Sequence, residues 1–153
     1  MPAPVSSPAP TQLPDNERLL RDALISATVA GPTTTNVAAT VNTPGIDLTQ
    51  AVPFPIGDKI TVRLTGSAGN SANNKNLNYV LQHSADNNTS NYVNIPTLGA
   101  PVAVHAGVNA AIAASTDLIA LPPGTKEFIR AQCTGEANGG FDGSVTIVLD
   151  LLF

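Results

Sequence analysis

The chain is predicted to be all-β: an antiparallel β-sandwich, of the jelly-roll kind, with an extended Pro-rich N-terminal arm. Three observations carry this reading. Short runs alternate apolar and polar residues, as strands buried on one face do. Clusters of Gly, Pro and Asn break these runs about every ten residues. No segment sustains the 3.6-residue apolar period of a helix. About ten short strands spaced in this way suit a sandwich, and 153 residues suit one domain.

In chain order, residues 1–14 hold five prolines among small residues, a composition that favours extended chain outside a core. The stretch 15–22 is charged, has Leu19 and Leu20 at its centre, and could form a short helical turn capped by Asp15. Together they make an arm over 1–22, and the sandwich domain follows over 23–153. Its strands are expected at 24–29, 34–41 and 46–48, punctuated by Gly31-Pro32 and Pro44-Gly45. The run 59–65 turns Ile60, Val62 and Leu64 inward; after an Asn-rich loop at 66–76, the strand 76–84 puts Leu77, Tyr79, Leu81 and His83 on one face.

Beyond a polar turn at 85–91, short strands are expected at 92–95 and around Val102 and Val104, whereas the Ala-rich run 110–114 fits either helix or strand. A strand at 117–121 leads into Pro122-Pro123-Gly124, whose last two residues match the centre of a type II turn. Two strands close the chain, 128–134 and 144–151, joined by a Gly-rich loop and read as a terminal hairpin. The last turns Val145, Ile147, Leu149 and Leu151 to one face, with Val148 the mismatch.

Charged residues make up only 12% of the chain, so 14 Asn and 16 Thr carry much of its polar surface. With a 42% hydrophobic content, some apolar area is expected to face a partner. The net charge of −4 and seven scattered Lys and Arg leave no basic stripe for nucleic acid. No apolar run is long enough to span a bilayer, and the first residues lack the charged and apolar regions of a signal peptide, so no membrane partner is expected and the product should stay in the cytoplasm. Cys133 stands alone, which precludes an intrachain disulfide, and the alternation places it inside.

Catalytic signals are sparse. His83 and His105 lack the spacing or Cys companions of a metal site, and no nucleophile elbow, zinc-protease helix, Walker loop or dinucleotide fingerprint occurs. Glu136 and Asp142 flank Asn138-Gly139-Gly140, and Asp86 opens an Asp-Asn-Asn run, but neither has the Asp spacing of a calcium loop. No cofactor, metal or enzymatic activity is expected. Six aromatics and no Trp offer a sugar-binding cleft few stacking surfaces.

Taken in order, NERLLRDA at 16–23, TTTNVAAT at 33–40, IDLTQ at 46–50, KITVRLTGS at 59–67, YVLQHSADNNTSNYV at 79–93, LPPGTKEFIRAQCT at 121–134 and GSVTIVLDLLF at 143–153 resemble the capsid cement, or decoration, proteins of tailed bacteriophages. The likeness is one of strand order and turn chemistry over about 15–153, and the Pro-rich head departs from it. It implies a structural virion protein: a homotrimer, made in the host cytoplasm, that binds the major capsid protein on the outer capsid surface and stabilises the head by bridging capsomers. Several modest contacts on one rigid oligomer add up to tight attachment. On this expectation Arg18, Leu19, Leu20 and Arg21 contact the capsid or a neighbouring subunit, and Phe153 lies in the core or at a subunit seam. A carbohydrate- or receptor-binding β-module of a phage tail or fibre is the alternative, and a small hydrolase with carboxylates from separate loops a more distant one.

Overall fold

The computed structural model describes residues 25–48 and 60–152. Within them lie β1 (Ser26–Ala30), β2 (Ala39–Asn42), β3 (Ile46–Asp47), β4 (Thr61–Gly66), β5 (Gly69–Asn70), β6 (Leu77–Ser84) and β7 (Val93–Asn94). β8 (Ala103–His105), β9 (Gly107–Val108), β10 (Ala111–Ile112), β11 (Ser115–Ala120), β12 (Phe128–Gly135) and β13 (Thr146–Leu152) complete the set.

Two sheets form the sandwich. One runs β1-β13-β4-β11; the other runs β2-β12-β6-β7, with β3 also on β12 and β8 also on β6. Counting β2 with β3 and β7 with β8 as single positions, the first strand pairs with the eighth, the second with the seventh, the third with the sixth and the fourth with the fifth. Every pair is antiparallel. A long hairpin wrapped into two layers has this connectivity, and it is that of a jelly roll. A small sheet, β5-β10-β9, caps one end.

The alternation read from sequence sets the two inner faces. Val62 and Leu64 of β4, Leu77, Tyr79 and Leu81 of β6, and Ile147 and Leu149 of β13 are fully buried, with Ile129, Ala131 and Cys133 of β12 between them. Apolar burial at about 25 cal/mol per Å² is the chief stabilising term for such a core. On the outer face of the first sheet, one rung crosses three strands. Asp150 on β13 accepts from Ser26 Oγ on β1 at 2.5 Å and from Arg63 Nε and Nη2 on β4 at 3.0 and 2.7 Å.

The expected terminal hairpin is corrected by the structure: β12 and β13 belong to different sheets, and β13 lies between β1 and β4. The Gly-rich segment is a bridge from one layer to the other. It is tied to distant chain, since Gly139 O accepts from Ala72 N at 2.9 Å and Phe141 O from Thr34 N at 2.9 Å, while the Phe141 ring is buried. The same ties explain why the expected strand 34–41 shrinks to β2: buried Thr34 also accepts from Phe141 N through Oγ1 at 3.2 Å, so it serves the bridge and not a ladder. The expected loop 66–76 contains β5. The Ala-rich run resolves as extended, with Ala111–Ile112 between β5 and β9. Gly124 has φ 85° and Thr125 N donates to Pro122 O at 3.3 Å, the positive φ that a type II turn requires.

Ile25, Leu48, Ile60 and Leu152 lie at one end of the sandwich. Ile25 O accepts from Leu151 N, Ile60 O from Leu121 N, and Leu48 N donates to Glu127 O, so all four border the same turn region.

Candidate interaction surface

At one margin of the sandwich, β11, the last strand of the first sheet among the described residues, lies beside β8 in the second. Four large apolar side chains are exposed between residues 93 and 120: Val93 on β7, Val104 on β8, Val108 on β9 and Leu118 on β11, the last 67% exposed. Val104 lies opposite Asn78 on the outer face of the second sheet and Leu118 opposite Arg63 on that of the first. Residues 93–120 carry one carboxylate, Asp117, and no Lys or Arg. Exposed apolar side chains along a charge-poor stretch suit a protein contact, because few ions must be desolvated to bury them.

The two layers are stapled here. His105 on β8 is buried and its Nε2 lies 3.2 Å from Asp117 Oδ2 on β11, which also accepts from Ser115 Oγ at 3.3 Å. The imidazole packs against the Tyr79 ring at 4.4 Å between centroids, tilted by 53°. His105 Nδ1 and Tyr79 Oη are buried without hydrogen-bond partners. Gly66 leaves the room for both rings: a Cβ there would stand 2.6 Å from His105 Nδ1 and 2.9 Å from Tyr79 Oη. Burial raises the Tyr79 phenol well above its ordinary value and pushes the Cys133 thiol, directly opposite it on β12, up to about 12, so both stay protonated near neutrality.

The other candidate groups each serve local structure. His83 is buried and its Nδ1 accepts from Lys126 N at 3.2 Å; burial, and then the Lys126 charge, depress its basicity. Asp86 accepts from Ser84 Oγ, Asn88 N and Asn91 Nδ2, and these hydrogen bonds hold its carboxyl below the usual range. Asp142 accepts from Ser144 N and Asn70 Nδ2 and is lowered to about 2 by its bonds to Ser144 and Asn70. Glu136 Oε2 accepts from Asn76 N. Among the described residues, no three His, Cys, Asp or Glu side chains gather to hold a metal ion, and no helix is long and apolar enough to cross a membrane.

On the outer face of the second sheet, the Arg130 guanidinium lies over the Tyr92 ring, 4.1 Å from its centroid, and Nε donates to Gln82 Oε1 at 2.9 Å. Gln82 Nε2 continues the chain of contacts to Asn94 Oδ1 at 3.0 Å. Tyr92 Oη donates to Asn87 Oδ1, which closes the 85–91 loop onto the sheet.

The contact residues expected from sequence, Arg18, Leu19, Leu20, Arg21 and Phe153, lie outside the described residues, as does the arm at 1–22. The margin formed by Val93, Val104, Val108 and Leu118 escaped the sequence reading, although its signal was present as a charge-poor run. No known protein-family model matches this chain, and no curated protein matches it.

Proposed function

We propose that the protein is a non-enzymatic structural component of a phage virion, an oligomeric cement protein that binds the major capsid protein on the outer capsid surface. The observation that carries this reading is the charge-poor stretch 93–120, which exposes Val93, Val104, Val108 and Leu118 on a jelly roll whose histidines and loop carboxylates are held in its own packing. Such a subunit has a rigid frame and surfaces suited to lasting protein contact. The resemblance of its strand order to capsid decoration proteins supplies the partner and the trimeric state, with Arg18, Leu19, Leu20 and Arg21 on the capsid or an adjacent subunit. Attachment then gains from multivalency.

The glycan-binding alternative finds less support, because Tyr79, Tyr92 and Phe141 are buried and Arg130 covers the Tyr92 ring. Co-sedimentation with expanded capsids lacking the protein tests the proposal. The full chain is expected to pellet with them at micromolar concentration and to raise their melting temperature. A chain that stays in the supernatant overturns the reading.

A further inference from the structure

We infer that β11 is a self-complementary edge through which two copies of this chain pair antiparallel, joining their four-stranded sheets into one of eight strands. The backbone fixes which groups are free. Leu121 N donates to Ile60 O at 2.8 Å, and Ser67 N, on the opposite side of the neighbouring strand, donates to Thr146 O at 2.9 Å. With the registers Ser115↔Gly66 and Ile147↔Gly66, both bonds turn the amides and carbonyls of residues 115, 117 and 119 toward β4. Those of Thr116, Leu118 and Ala120 therefore point out from the edge. Among the described residues, no strand pairs with that side.

A two-fold axis at Leu118 satisfies all of these groups at once. It sets Leu118 opposite Leu118 of the second copy and Thr116 opposite Ala120, each a hydrogen-bonded pair. The same three side chains are the exposed ones of the strand, so the new rungs are Leu on Leu and Thr on Ala, with no charge. Centring on Asp117 instead would set two carboxylates on one rung and pair Thr116 with Leu118, leaving Ala120 opposite Ala114, beyond the end of the strand. The usual guards of an edge are a lysine, a proline, a bulge or a lone inward charge. β11 has none of the first three, and its inward charge, Asp117, is already held by His105 and Ser115. The edge is thus self-complementary in both backbone groups and side chains, which favours a second copy of β11 as its partner. The contact is two-fold and cannot close a ring of three; if the proposed trimer forms, this edge joins one trimer to the next.

The test uses the full chain. Sedimentation equilibrium is expected to show even-numbered association, and Leu118→Lys, which sets two cations face to face on an exposed position, to raise the dissociation constant at least tenfold. Register is read by cross-linking in a Cys133→Ser background with a reagent of short reach. L118C should link, its Cα atoms lying about 5.5 Å apart, whereas T116C should not, its own copies being about 14 Å apart across four residues. A monomer at 100 µM that loses capsid binding on Leu118→Lys would assign the edge to a capsid strand and overturn the inference. So would a trimer unaffected by Leu118→Lys, or equal linking by both cysteines. Pairing through Leu118 without capsid co-sedimentation would uphold this inference and remove the cement reading.

Discussion

Replacing Gly66 by Ala tests the packing that holds the two layers together at the β8–β11 margin. The added methyl would stand 2.6 Å from His105 Nδ1 and Cε1 and 2.9 Å from Tyr79 Oη, about 0.8 and 0.5 Å inside ordinary contact. Neither ring can swing away freely, because both are buried and packed against each other, and His105 is tied to Asp117. Overpacking of this kind costs about 1–3 kcal/mol, and displacing the imidazole from Asp117 costs about 1 kcal/mol more. The lower entropy of an unfolded chain with Ala returns about 0.4–1 kcal/mol. The net loss is about 2 kcal/mol, equivalent to a fall of about 4–8 °C in Tm for a chain of this size.

Urea denaturation measures it, and a double-mutant cycle with His105→Ala identifies the cause. Once the ring is gone, Gly66→Ala should cost less than about 0.5 kcal/mol, a coupling above about 1 kcal/mol. A single variant as stable as the parent, or strictly additive effects, would refute the reasoning.

Other consequences are as direct. Asp150→Asn should lower stability by about 1 kcal/mol, since Asp150 gathers Ser26 and Arg63 on one partly exposed rung, and part of that loss should vanish in molar salt; urea titrations at low and high salt check both. Stability should also decline on acidification. His83 binds its proton less readily when folded, so the unfolded chain protonates first below about pH 6.5 and stability falls there. Asp86 and Asp142 extend the decline below about pH 4, until Asp142 protonates near 2. His83→Gln should flatten the limb that begins below about pH 6.5 while leaving the one below about pH 4, as followed by urea midpoints across pH; an unchanged upper limb would exonerate His83.

Strand faces were legible in the sequence wherever a strand had one dry side. Ile60, Val62 and Leu64, the odd residues 77–83 of β6, and Val145 to Leu151 all point where their alternation says, because a shift of one residue would expose the whole set. Partnership was less legible. The loop after β12 looks like a hairpin connection, yet its ties to Ala72 and Thr34 are long-range and leave no local mark. The β9–β10 turn was hidden for another reason: Asn109 and Ala110 have φ 52° and 63°, and Ala is not the residue that a turn with two positive φ values advertises. The β11 edge was visible as a strand, but its lack of a neighbour is a property of the whole topology.

The place of β13 between β1 and β4 bears on how the chain comes to be folded. β1 is the first and β13 the last strand among the described residues, and each rung between them joins residues more than a hundred positions apart, Ser26 to Asp150 being one. Until β13 is synthesised, β1 and β4 have no strand between them, and their apolar faces wait unpaired on the ribosome. Long loops must close before such contacts form, which makes folding slow. A cell that makes this protein in quantity must shelter half-finished sheets, and a chain cut before β13 would be aggregation-prone and not merely a weakened subunit.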